Sequence, residues 1–95
     1  FITSDEWCAQ PKHDGRRMLI LKRGALVTGI NRRGLVCGVP ITIDEAARAF
    51  DQDYLIDGEA VGDVLHAFDL LALDDEDLRP RPYRDRLTEL LNLLA

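Results

Sequence analysis

Within six residues, at Lys12-His13-Asp14-Gly15-Arg16-Arg17, the sequence sets a lysine and an aspartate before a glycine and two arginines. In extended chain, residues two apart point the same way, so Lys12 and Asp14 share a side. Gly15 lets the chain turn sharply after them, and Arg17 returns a cation toward the same place. That set suits a nucleophilic amine. An ordinary lysine titrates at about 10.4, so only about one in a few thousand is neutral near pH 7. Neighbouring cations and partial burial both lower that value. Arg16, Arg17 or a bound metal could supply the first and a pocket the second, while Asp14 opposes them unless it is spent on a metal, a water or a hydrogen bond. The residues alone leave two readings open: a surface lysine in an ion pair, or an amine poised to react.

A second constellation lies in YLIDGEAVGDVLHAFDLL, residues 54–71. In a strand, Asp57 and Glu59 project from one face while Ile56, Gly58 and Ala60 take the other. Two carboxylates on one face need a divalent cation, a sugar hydroxyl or a basic side chain nearby, or else open solvent along an edge strand. On the next strand, alternation predicts Phe68 and Asp69 on opposite faces and His66 on the face of Phe68, as a structural residue. Cys8 and Cys37 lack the paired spacing of a zinc site or of a disulfide scaffold and read as reduced thiols.

Several short elements must hold these residues. Residues 9–11 read as the end of a strand. Met18–Lys22 and Ala25–Ile30 flank Arg23-Gly24 as a hairpin. Asn31–Gly34 reads as a polar turn, and residues 36–41, broken by Gly38 and Pro40, as loop. Thr42-Ile43-Asp44-Glu45 has the form of a capping box and predicts a helix to about Phe50. Tyr54–Val61 and Val64–Leu73 read as strands joined at Gly62-Asp63, with a charged turn at Asp74–Asp77. A last helix over 84–94 is predicted with Leu87, Leu90, Leu91 and Leu94 on its apolar face. This order gives an α+β fold with a largely antiparallel sheet and flanking helices.

The chain has 95 residues and a net charge of −5, with 46% hydrophobic and 31% charged residues, which suits one domain or part of one. No apolar run approaches the ~20 residues of a membrane span, and no signal peptide is visible. A cytoplasmic protein with no membrane partner is expected. Because the first residue is Phe1, the expected chain is a piece of a longer one. Charge is uneven: residues 1–38 carry seven basic and three acidic side chains, residues 39–95 five basic and fourteen acidic. A basic front half can meet phosphates.

Lys12-His13-Asp14-Gly15-Arg16-Arg17 resembles the lysine–x–aspartate–glycine–x–arginine signature of the covalent nucleotidyltransferases: ATP-dependent DNA ligases, RNA ligases and mRNA-capping enzymes. IDGEAV resembles that superfamily's third motif. HAFDLLALDDEDLRPRPYRDRL resembles the segment after it in bacterial and archaeal-type ATP-dependent DNA ligases. NRRG resembles their short arginine motif, which usually begins with serine or threonine and has another asparagine third, so Asn31 and Arg33 depart from it. Order and spacing agree from about Ala9 to the end, and several ordered matches are more specific than any one.

The resemblance implies a partial nucleotidyltransferase domain of the ATP-grasp-like, ligase and capping-enzyme kind, using ATP and Mg2+. Lys12 would attack the α-phosphate of ATP and expel pyrophosphate, with Asp14 and Asp57 as further catalytic residues. Gln10, Lys12, Arg17, Glu59 and Phe68 would bind nucleotide, Phe68 by stacking on adenine. Gln10 replaces the glutamate often found there, which puts its adenine contact in question. Glu59 and Asp57 would hold metal, and Arg32 and Arg17 the DNA phosphate. The partner would be nicked double-stranded DNA, in replication, repair or recombination. Later phosphate-binding motifs and the oligonucleotide-binding domain are not in the sequence, so residues 1–95 are expected to be the front half of an adenylation domain that does not seal nicks alone. Other readings are a non-catalytic nucleotide-binding remnant, one that pairs with itself through an open sheet edge, and an RNA ligase or capping-type enzyme.

Overall fold

A computed structural model describes residues 2–3 and 15–95. Its strands are β1 (Ile2–Thr3), β2 (Arg16–Arg23), β3 (Leu26–Asn31), β4 (Val36–Cys37), β5 (Tyr54–Val61), β6 (Val64–Leu73) and β7 (Glu76–Asp77). Two helices, α1 (Ile41–Arg48) and α2 (Tyr83–Leu94), follow β4 and β7. The strands form one sheet in the order β1-β6-β5-β2-β3-β4, with β7 also on β6. Among the described residues only the short β1–β6 pairing is parallel, so the largely antiparallel α+β expectation holds.

Tight turns set the register. Arg23 pairs with Leu26 around Gly24, and Val61 pairs with Val64 around Gly62; both glycines have positive φ. Leu73 pairs with Glu76 around Asp74 and Asp75, at φ 46° and 71°. Two consecutive left-handed residues are what a two-residue hairpin of matching twist requires. The Asp74 side chain accepts from the Asp53 amide at 2.9 Å, and Asp53 in turn accepts from the Gly24 amide at 2.8 Å. Three turns are thereby laced together at one end of the sheet.

One face of the sheet carries the core. Met18 and Ile20 of β2, Tyr54, Ile56 and Ala60 of β5, and Leu65, Ala67 and Leu70 of β6 are buried there. The helices cover them with Ile43 and Ala47 of α1 and Leu90 and Leu93 of α2. Lys22 shares this face and is 3% exposed. Its apolar stem lies in the core while its ammonium donates to the Gln52 carbonyl at 2.8 Å and pairs with Asp53 at 3.7 Å.

Four sequence expectations are corrected. Residues 36–37 form an edge strand on β3 rather than loop, since ladder pairing with Gly29 and Ile30 outweighs the nearby Gly38 and Pro40. Thr42 does not cap α1: Pro40 stands at the N-cap, the helix begins at Ile41 and ends at Arg48, and the Thr42 hydroxyl donates to the Asp63 carbonyl at 2.8 Å. On α2, Leu93 is buried and Leu91 is exposed, because the helix rotates to present Leu87, Leu90, Leu93 and Leu94 to the core. Asp69 does not oppose Phe68, for the reason given next.

Candidate functional site

The other face of the sheet is not covered by either helix. Alternation from the buried positions places Arg17, Leu19 and Leu21 of β2 and Leu55, Asp57 and Glu59 of β5 on it. Asp57 and Glu59 therefore share a face as the sequence predicts, and the alternate residues Ile56, Gly58 and Ala60 are buried.

β6 contributes through a bulge. Gly58 pairs with Ala67, yet the adjacent Asp57 pairs with Asp69, so Phe68 is the extra residue of β6 in this register. An extra residue of this kind re-aims the side chains beside it. Strict alternation would drive the Asp69 carboxylate under the helices. The bulge keeps Leu70 in the core and brings Asp69 opposite Asp57 on the open face. Gly58 makes room for it: a Cβ there would lie 2.6 Å from the His66 carbonyl oxygen and 3.2 Å from the Ala67 Cα. A second register shift, between Leu55 and Ile56, returns the ladder to phase.

Asp57 and Asp69 face each other across two strands, and like charges so placed repel. Each is neutralised from a different side. Arg17 forks onto Asp57, Nε to Oδ1 at 2.6 Å and Nη2 to Oδ2 at 2.5 Å. Arg86 of α2 forks onto Asp69 at 2.8 and 3.0 Å. The hydrogen bonds it donates to Asp57 hold the Arg17 guanidinium above its usual range, with the charges of Asp57, Glu59 and Asp69 adding to this and burial opposing. The Arg17 guanidinium carbon also lies 5.6 Å from the Phe68 ring centroid, which puts that ring on the open face. His66, 4% exposed, lies opposite Glu59 on the neighbouring strand.

Gly15 is the first described residue of the lysine-bearing stretch. A Cβ on it would stand 2.5 Å from the Glu59 carboxylate, so the chain entering β2 passes directly against Glu59. Among the described residues Glu59 makes no side-chain hydrogen bond or ion pair. Gln10, Lys12 and Asp14 lie outside the described residues.

Beside this point runs a groove of about 330 Å³ lined by Gly15, Arg16, Arg17, Asn31, Arg32 and Arg33. It adjoins another lined by Arg17, Leu19, Ile30, Arg32 and Asp57. The Asn31 side chain shapes the arginine turn by accepting from the Arg33 and Leu35 amides at 2.9 and 3.1 Å. Of the four arginines only Arg17 has a carboxylate partner among the described residues. Arg16 and Arg33 thus join the expected Arg32 and Arg17. Their signal in the sequence was the basic front half, which did not single them out. At the opposite end of the sheet a groove of about 230 Å³ is lined by Leu21, Asp53, Leu55, Asp74, Asp75 and Asp77, among others. Its five acids outnumber its cations, Lys22, Arg23 and Arg79, and disfavour a polyanion.

Among the described residues no group of three or more His, Cys, Asp or Glu is placed to hold a metal ion. No helix is long and apolar enough to cross a membrane.

No protein-family model matches the sequence, and no curated protein matches it. Among solved structures, a mycobacterial DNA ligase D complexed with ATP and MES is similar to it, with a TM-score of 0.65 and 27% identity. The likeness covers 88% of this chain but 36% of that one. The α+β fold is therefore ligase-like and consistent with part of a nucleotidyltransferase domain.

Proposed function

We propose that the chain is the front half of the adenylation domain of an ATP-dependent DNA ligase. The observation that carries this reading is the open face, where a carboxylate–guanidinium fork, a second carboxylate and an aromatic ring converge beside an arginine groove. The ligase D structure with ATP supports it, as does the order of the sequence motifs.

The residues present suit a nucleoside triphosphate. Phe68 offers a ring to a base, Glu59 an acceptor to a ribose hydroxyl, and the arginines offer charge to phosphates. Magnesium in phosphoryl-transfer sites rests on one or two carboxylates plus substrate phosphates. Glu59, which has no side-chain partner among the described residues, fits that requirement, whereas Asp57 would have to release Arg17 first. When bound, the ion would neutralise charge developing on phosphate oxygens.

Lys12 precedes Gly15 by three residues, a reach of at most about 11 Å. In the proposed step its neutral amine attacks the α-phosphorus. A P–N bond forms, the bond to pyrophosphate breaks, and the amine gives up a proton. Arg17, fixed by Asp57, positions the nucleotide or the nick phosphate, and Asp14 supports the amine's chemistry. The AMP then passes to the 5′-phosphate of a nick, and the adjacent 3′-hydroxyl displaces it. Such chemistry is mainly positioning and charge neutralisation. Arg32 and Arg17 hold the strand by its phosphate, a contact that positions without reading sequence. Ligation is expected only with the remaining motifs of a longer chain.

The test is incubation of the purified chain with α-labelled ATP and magnesium. Label bound to the protein, and lost in Lys12→Ala, is expected. An unlabelled chain that dimerises and binds no nucleotide would instead establish the self-pairing remnant. Transfer of AMP to nicked RNA but not nicked DNA by the longer chain would move the assignment to an RNA ligase.

A further inference from the structure

We infer that Tyr83 and Arg86 of α2 are positioning residues for the base-stacking ring: they lock the β6 bulge in the shape that holds Phe68 on the open face. The inference rests on the nucleotide reading above and adds to it the element that sets affinity for the base.

The bulge needs external support. An extra residue disrupts the ladder locally, so the strand cannot fix its own peptide planes there. β1 and β7 pair with β6 at residues 66–67 and 72–73. Between them, α2 takes over. The Tyr83 hydroxyl donates to the Phe68 carbonyl at 2.8 Å, which fixes the peptide following the ring. The Asp69 side chain accepts from the Leu70 amide at 2.9 Å, which fixes the next one. Arg86 holds that carboxylate with two hydrogen bonds and anchors its own third nitrogen on the Arg81 carbonyl at 2.7 Å. Its guanidinium also lies 5.5 Å from the Tyr83 ring centroid, so the two α2 side chains brace each other.

The Asp69–Arg86 side chains are 15% and 17% exposed, against 14% and 52% for Asp57–Arg17. The α2 fork is thus the more enclosed of the two and suits a fixed brace. The Arg17 fork leaves its guanidinium open to a ligand. A ring held in place spares a ligand the cost of ordering it, which is about 0.5–1.5 kcal/mol per immobilised side chain and so roughly two- to tenfold in affinity.

The experiment compares AMP with tripolyphosphate, which lacks a base, as probes of the full chain by calorimetry. Tyr83→Phe removes one hydroxyl and keeps the ring, so it is the first variant. Arg86→Lys, which keeps charge but not the fork, is the second. Thermal melts establish that each variant is folded. Each variant is expected to weaken AMP binding by about two- to tenfold and to leave tripolyphosphate binding unchanged. Tyr83→Phe is also expected to shift the NMR ring resonances of Phe68 without any nucleotide, and to cost nothing further in a Phe68→Leu background. Equal weakening of both probes would show a merely structural role and overturn the inference. So would wild-type AMP affinity and unchanged ring resonances in both variants. A wild-type chain that takes tripolyphosphate but not AMP would overturn the nucleotide reading itself, and this inference with it.

Discussion

The two faces of the sheet are built from the same three strands to opposite ends. Under the helices, Ile20, Ile56 and Leu70 are fully buried and meet hydrocarbon. On the open face, Leu19, Leu21 and Leu55 are half-buried, and two of the carboxylates, Asp57 and Asp69, are each matched by an arginine. A core residue is selected by volume and a site residue by geometry. The chain meets both demands by alternating them at period two, with two register shifts between β5 and β6, one of them at Phe68.

The largest effect expected from that contrast is on stability. Ile56→Ala should cost about 2–5 kcal/mol in urea unfolding, as core truncations do, while Leu19→Ala on the open face should cost less than about 1 kcal/mol. Equal losses would break the comparison.

Gly58→Ala comes next. Its Cβ would press on the backbone of β6, at the about 1–3 kcal/mol typical of overpacking. Because the pressure falls at the bulge, the variant should also disturb the ring resonances of Phe68, whereas Ala60→Gly should not.

Tyr54→Phe tests the covered face by pH. The Tyr54 hydroxyl donates to the Ala47 carbonyl at 3.0 Å, so its removal should cost about 1 kcal/mol at neutral pH. Burial also raises the phenol above its ordinary value near 10. Above pH 10 the unfolded chain ionises this group before the folded one does, so its contribution is full below pH 10 and is lost as pH rises toward the folded value. The alkaline fall in stability should therefore be shallower in Tyr54→Phe.

The smallest change belongs to the arginine groove. Arg16→Ala and Arg33→Ala should leave stability within about 0.5 kcal/mol of the parent. Each should flatten the salt dependence of duplex DNA binding by roughly 0.9 in the log–log slope. An unchanged slope for both would remove these two residues from the proposed DNA interface.

The pairing of Asp57 with Glu59 was legible in the sequence because it depends only on strand alternation. The bounds of β5 and β6 were legible because Gly62-Asp63 and the acidic turn punctuate them. The bulge was not, since an extra residue in β6 is defined only by its register against β5. Two local patterns misled because tertiary partners outbid them: Thr42 serves the Asp63 carbonyl, and packing chose Leu93 over Leu91. The second fork, Arg86 on Asp69, joins residues seventeen apart, and no spacing rule links a helix side chain to a strand. Gln10, Lys12 and Asp14 rest on their motif alone, outside the described residues.

The central claim is that the open face, and not the acidic groove near Asp53, receives the nucleotide. Titrating AMP into the isotope-labelled chain and mapping amide shifts tests it directly. The changes should gather at residues 15–17, 57–59 and 66–69. Changes gathered instead around Asp53, Asp74 and Asp77, or a spectrum that saturating AMP leaves untouched, would contradict it.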